Sequence, residues 1–333
     1  NSNQDAFSGG MRILATQKER AFELLKMILV DPGLEAQSLE RIRAGYLSSY
    51  QRSLAQPNAI LGNRLKTLLY GDHAYGRSSR GNEKSLKSIT RDDLVKLHKQ
   101  MLAQDNLYIG VVGAINKEDL TTLLEKTFAG LPQKAQLVNV PNIEPTLGIK
   151  EHISFEAPQT IVSVAFPGLT RDHPDFFAAF IMNHILGGGS FSSRLYEEVR
   201  EKRGLVYGIS TSISPLEHSA YLAGGFSTRS DQAKEAMDLM ISEIEKMAKD
   251  GPTQEELDLA KKFVFGSYAI NNLDTSTKIA NVLVGLQISK LGIDYINTRG
   301  DSIDAVTLDD VKRLAKNLLG TEPTIVTIGP GDV

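Results

Sequence analysis

The chain has 333 residues, with 37 basic and 40 acidic side chains mixed along its length, a net charge of −3 and 41% apolar residues. That balance suits two ordinary folded cores and leaves no basic stripe for nucleic acid or an anionic membrane. No apolar run approaches the ~18 residues of a spanning helix, and the absence of cysteine excludes disulfides, thiolate metal sites and thiol nucleophiles.

In chain order, the opening NSNQDAFSGG has the look of neither a signal peptide nor a natural start. TQKERAFELLKMIL (16–29) and SLERIRAGYLSSYQ (38–51) place apolar residues at helical spacing. In SLKSITRDDLVKLHKQML (85–102), Thr90 with Asp93 three residues later predicts a capped helix start. LYIGVVG (107–113) reads as a strand ending in glycine. PQKAQLVNVPNIEPTLGIK (132–150), with its prolines and little periodicity, reads as a linker.

The second half opens on a buried strand, TIVSVAFPGL (160–169), and an apolar helix, FFAAFIMNHILGGG (176–189). LGGGSFSSR (186–194) lacks the G-K-[ST] ending of a phosphate loop, so it reads as a turn between helices. SRLYEEVREKRGLVYG (193–208) reads as a helix through Arg203, stopped at Gly204, with a strand from about Leu205. An arginine in the last helical turn and a tyrosine on the next strand can point into the same space, which singles out Arg200 and Tyr207. Taken alone, the spacings Glu197–Arg200 and Glu198–Lys202 equally describe a solvated helix end.

The remaining segments repeat the first half. Ser85, Thr90, Asp92, Asp93, Leu97, Lys99 and Leu102 each meet an identical residue 217 positions on, within SIDAVTLDDVKRLAKNLL (302–319). TRSDQAKEAMDLMI (228–241) parallels 16–29, ELDLAKKFVFGSYA (256–269) parallels 38–51, and PTIVTIG (323–329) parallels 107–113. Each half therefore reads as three helices and a strand in one order. The second copy begins near Gly148, well before Thr228, whereas only 15 residues precede Thr16. The repeat thus predicts that roughly 65 residues of the first copy are missing.

Of the six histidines, none is three or four residues from another, so no helical pair can grip a metal from one face. His184 lies on an apolar helix and reads as a packed core residue. His73 is a loop residue with no evident partner. No G-x-S-x-G elbow supports a serine nucleophile.

ILGGGSFSSRLYEEVREKRGLVYGIS, together with LYGDHAYGRSSRGNEKSLKSITRDDLVKLHKQML and DNLYIGVVGAI, resembles the pitrilysin or insulinase-like zinc metallopeptidases, a group that includes the mitochondrial processing peptidase subunits. The resemblance implies an α+β chain of two similar domains, each an antiparallel sheet covered by helices, facing each other as a clamshell. Residues 1–132 would form the first domain, truncated at its N-terminus, 133–150 the linker, and 151–333 the second domain. In this family an arginine and a tyrosine seven apart bind substrate and stabilise the transition state. Arg200 and Tyr207 match that spacing, and a guanidinium and a phenol are suitable donors to an oxyanion.

Family enzymes hold zinc through H-x-x-E-H and a glutamate on a later helix. The H-x-x-E-H region falls in the segment absent here. On the later helix Glu40 aligns with the glutamate seven residues before the ligand, which puts Leu47 at the ligand position. With no Asp or Glu between Glu40 and Asp72, no shift in alignment restores it.

The resemblance therefore implies a subunit with no cofactor of its own, paired with a zinc-binding subunit of the same family and acting with it on peptides. Gly187, Gly188 and Gly189 fall where the non-catalytic processing-peptidase subunit carries a glycine-rich substrate loop. Two alternatives stay open: a self-sufficient zinc endopeptidase lacking its metal segment here, or a structural subunit like the core proteins of the cytochrome bc complex. The family type favours a bacterial periplasm, although a cysteine-free chain suits the cytosol as well.

Overall fold

The structure is a computed structural model and describes residues 1–331. Its elements are α1 (Lys18–Leu29), α2 (Ala36–Ser53), α3 (Pro57–Tyr70), α4 (Glu83–Ser88), α5 (Arg91–Met101), α6 (Lys117–Phe128), β1 (Lys150–Ser154), β2 (Gln159–Pro167), α7 (Phe176–Asn183), β3 (Ile209–Pro215), β4 (Ala220–Arg229), α8 (Ala233–Asp250), α9 (Gln254–Asn272), α10 (Ser276–Ile288), α11 (Tyr295–Asp304), α12 (Leu308–Leu319) and β5 (Thr324–Gly329). The class is α+β, as the sequence implies.

Two compact units form, and neither is one continuous stretch of chain. The first comprises residues 1–51, 80–139 and 268–293; the second comprises 52–79, 140–267 and 294–333. Each unit includes a segment from the other half of the repeat. The first residues of those segments, Arg52 and Tyr268, lie 216 positions apart, against 217 for the repeat itself. The duplication is thus visible in how the chain is shared out as well as in its sequence.

The second unit holds a five-stranded sheet in the order β1-β5-β2-β4-β3. All neighbours are antiparallel except β1 and β5, which run parallel from Lys150↔Ile325 to Ser154↔Gly329. Alternation along the strands builds a core on each face. Val162, Val164 and Phe166 of β2 and Leu222 and Phe226 of β4 join Met240 and Ile244 of α8 and Leu314 and Leu318 of α12. On the other face Ala165, Val326 and Ile328 pack against Leu61, Leu65 and Leu69 of α3. At ~1.5–3 kcal/mol for each large buried side chain, these two layers hold the sheet that carries the site.

The first unit is helical. Lys18 of α1 pairs with Asp119 of α6 at 2.6 Å, and Phe22 is buried. Arg43 of α2 donates to the carbonyls of Leu86 and Ile89, the second at 2.6 Å, and so satisfies main-chain acceptors at the end of α4. The caps follow the sequence in both halves. Thr90 accepts from the Asp93 N–H while Asp93 accepts from the Thr90 N–H, and Thr307 and Asp310 repeat the arrangement. The Thr90 and Thr307 donors hold the two carboxyls below the usual aspartate range.

One expectation needs correction. Residues 107–113 form no strand, so among the described residues the first half contributes helices and no sheet of its own, and the sheet of the second half is mixed rather than wholly antiparallel. A strand needs a neighbouring strand to take its backbone groups. Here the Ile109 carbonyl accepts instead from the Gln287 side chain at 3.0 Å. A Cβ on Gly110 would come within 2.5 Å of the Ala280 carbonyl oxygen, so this stretch lies tight against α10.

Candidate functional site

The predicted pair sits on the connection from α7 to β3. α7 is apolar nearly all round and buries Ala178, Ala179, Ile181 and Met182. Its path continues as a wide turn at His184–Gly188, closed by the Gly189 N–H on the His184 carbonyl at 2.8 Å. A second wide turn, Tyr196–Glu201, is closed by the Lys202 N–H on the Glu197 carbonyl at 2.9 Å. Such i→i+5 turns are rare and are often found at functional sites.

The three glycines have a packing reason to be there. A Cβ on Gly187 would lie 2.6 Å from Thr211 Oγ1 and 2.8 Å from the Thr211 nitrogen, on β3. On Gly188 it would meet Asn183 Nδ2 at 2.4 Å, and on Gly189 the His184 carbonyl oxygen at 2.6 Å. The segment therefore packs closely onto β3 and its own turn, which the sequence reading of a turn between helices does not reveal.

Between the two turns, Arg194 anchors the chain to α9. It pairs with Glu256 at 2.5 and 2.7 Å and donates to the Gly251 carbonyl at 3.1 Å. Burial acts to raise the Glu256 carboxyl, but Arg194 and the Thr253 donors outweigh it and hold the group below the usual glutamate range. Glu198 is likewise held low, by Lys202 and then Arg203.

Gly204 ends the second turn at φ 63° as predicted, with its N–H on the Arg200 carbonyl at 2.9 Å. β3 then begins at Ile209, four residues later than the sequence suggests. The delay has a cause: the intervening carbonyls bond to side chains, not to a neighbouring strand. Thr228 Oγ1 donates to Leu205, and Arg200 Nε donates to Tyr207 at 2.9 Å.

The structure thus joins Arg200 and Tyr207 directly, through guanidinium and main chain. Arg200 also pairs with Glu201, and its guanidinium carbon lies 4.6 Å from the Tyr196 ring centroid. Two of the five guanidinium N–H groups are engaged in these bonds, which leaves three without a hydrogen bond among the described residues. The Tyr207 side chain is 86% exposed and its hydroxyl has no partner among the described residues. Tyr196 went unnoticed in the sequence, although its i,i+4 spacing to Arg200 was the signal that could have found it.

His184 is half-buried, its ring 4.8 Å from that of Phe263, and burial keeps it below the ordinary histidine range. It is a packed residue, as read from the sequence. His73 does have partners: Nε2 meets the Pro141 carbonyl at 3.0 Å, and Nδ1 accepts from the Tyr75 N–H at 3.2 Å. Among the described residues no group of three or more His, Cys, Asp or Glu is placed to hold a metal ion. Leu47, at the expected ligand position, lies on α2 with an aliphatic side chain. These residues do not fit a zinc ion.

Comparison with known proteins agrees with this geometry. The family model described as the peptidase M16 inactive domain matches residues 88–264, more than half of the chain and inclusive of both wide turns, Arg200 and Tyr207. The chain belongs to the peptidase M16 family.

A crystal structure of an M16 inactive domain from Pseudomonas fluorescens superposes with a TM-score of 0.89 at 30% identity, over 96% of this chain and 76% of that one. Among M16 relatives, a protein named an uncharacterized zinc protease in Streptomyces coelicolor is 24% identical over 96% of this chain and 71% of its own length. The "non-peptidase homolog YmxG" of Helicobacter pylori is 24% identical over 92% of this chain and 71% of its own length. No helix among the described residues is long and apolar enough to cross a membrane.

Proposed function

We propose that this M16 chain is a peptide-binding subunit that supplies Arg200 and Tyr207 to a substrate held beside the zinc of a partner subunit of the same family. The two copies of its repeat, within 1–132 and 151–333, are joined by the segment 133–150, and each copy lends one segment to the compact unit built mainly from the other. The observation that carries the reading is the arrangement of unused donors. Arg200 is fixed by its bond to the Tyr207 carbonyl and keeps N–H groups that the described residues leave without a hydrogen bond, and the Tyr207 side chain itself is largely exposed. Donors fixed in advance of the reaction stabilise negative charge developing on a peptide carbonyl without reorganising. Guanidinium and phenol both donate, and neither needs to exchange a proton to do so.

This chain orients the peptide and stabilises charge; among the described residues no group is placed to hold the metal. Of Gly187, Gly188 and Gly189, the three glycines expected to contact substrate, Gly188 is the exposed one, and its lack of a side chain would let a peptide main chain approach. The relative named a non-peptidase homolog supports a subunit without independent activity.

The test is reconstitution with a zinc-bearing M16 partner and measurement of peptide cleavage. Arg200→Ala is expected to lower kcat by ~100-fold or more and Tyr207→Phe by a similar factor, the usual loss for one oxyanion donor. Unchanged rates in both variants refute the role.

A further inference from the structure

Arg200 shares its supporting ring with a second outward-facing group. Tyr196 is only 7% exposed, and the Arg200 guanidinium lies 4.6 Å from its centroid. Phe191 packs nearly perpendicular to the same ring, centroids 5.0 Å apart and planes at 79°. Phe191 is itself 78% exposed. The residue before it, Ser190, adopts φ 50°, a left-handed conformation that costs an ordinary residue ~1–2 kcal/mol. A strained backbone therefore precedes an apolar ring that is left largely in solvent yet held against Tyr196.

We infer that Phe191 is a specificity-determining contact for an apolar side chain of the bound peptide, and that Tyr196 is the positioning residue holding Phe191 and Arg200 in register. This rests on the peptide-binding reading of Arg200 and Tyr207. An extended peptide advances ~3.3 Å per residue. Two groups that each lie within 5.0 Å of one ring centroid are thus spanned by two or three peptide residues. A carbonyl at the remaining guanidinium N–H groups brings a nearby side chain to the exposed Phe191 ring.

The experiment uses the full chain and short fluorescein-labelled peptides that differ only in one central residue, Phe, Leu, Ala or Glu, with affinity read by anisotropy. The Phe peptide is expected to bind ~10-fold tighter than the Ala peptide, a difference of about 1.4 kcal/mol. Phe191→Ala should bring that ratio to about one. Tyr196→Phe keeps the ring and should bind every peptide as the unaltered chain does. Tyr196→Leu should weaken binding of all of them while its melting temperature, measured alongside, reports any loss of fold.

A Phe preference that survives Phe191→Ala, or no preference in the unaltered chain, overturns the specificity role even where Arg200→Ala abolishes binding. Equal losses in Tyr196→Phe and Tyr196→Leu overturn the positioning role. Binding untouched by both Arg200→Ala and Tyr207→Phe, or no binding at all, overturns the underlying reading as well.

Discussion

Replacing Gly187 by alanine tests whether the turn that leads to Arg200 is set by packing on β3. The added Cβ would stand 2.6 Å from Thr211 Oγ1 and 2.8 Å from the Thr211 main-chain nitrogen. The hydroxyl can rotate away, but the nitrogen moves only with the strand. Reaching a carbon contact near 3.5 Å requires the turn and β3 to part by about 0.7 Å. β3 is an edge strand with β4 as its one neighbour, so it can yield, though at the expense of buried contacts.

Overpacking of this kind costs ~1–3 kcal/mol, and in a unit of this size each kcal/mol lowers Tm by ~2–4 °C. Gly187→Ala should therefore melt about 2–12 °C below the unaltered chain by circular dichroism. Two neighbours serve as controls. Gly188→Ala chiefly meets the Asn183 side-chain amide, which can swing aside, and should cost less; Gly208→Ala meets nothing within 4 Å and should be neutral. Full stability in Gly187→Ala, or an equal loss in all three, refutes the packing argument.

Two further outcomes follow from the same region. Glu256→Gln removes the charge that Arg194 pairs with, a partly buried contact expected to contribute ~1–2 kcal/mol, between the values for exposed and buried pairs. Because the folded-state pKa of Glu256 is depressed, its contribution is complete above the unfolded value of about 4.5 and is lost as pH falls through the folded one. The variant should lose stability near neutral pH and show a shallower decline on acidification, measured by urea melts across pH; an unchanged acid limb contradicts the pairing. Gly204→Ala places a Cβ on a backbone at φ 63° and should cost ~1 kcal/mol. Peptide binding should weaken with it, since the turn carries the Tyr207 carbonyl that orients Arg200; a change in stability with no change in affinity separates the two.

What the sequence disclosed was local. Thr90 and Thr307 announced their helices because a cap needs only residues three apart, and Gly204 announced a stop because it tolerates the left-handed backbone that a stop requires. The Arg200–Tyr207 pairing was legible through the resemblance, but the bond that makes it, side chain to main-chain carbonyl across Gly204, was not. LYIGVVG has the composition of a strand, yet a strand also needs a neighbour, and Gln287, 178 positions away, takes the Ile109 carbonyl instead. The partner of His73 is invisible in its own stretch of sequence because Pro141 lies 68 positions on. The inclusion of residues 52–79 and 268–293 in units otherwise built from the opposite halves is invisible to any windowed reading, because periodicity reports which face of a helix is apolar and not what covers it.

The claim at the centre is that this chain carries the donors and not the metal. Its most direct test is the zinc content of the purified chain, alone and after gel filtration with a zinc-bearing M16 partner, measured by mass spectrometry of the metal. Zinc at one atom per partner, with no stoichiometric zinc on this chain alone, is the predicted result. One tightly held zinc per chain in the isolated protein would contradict it.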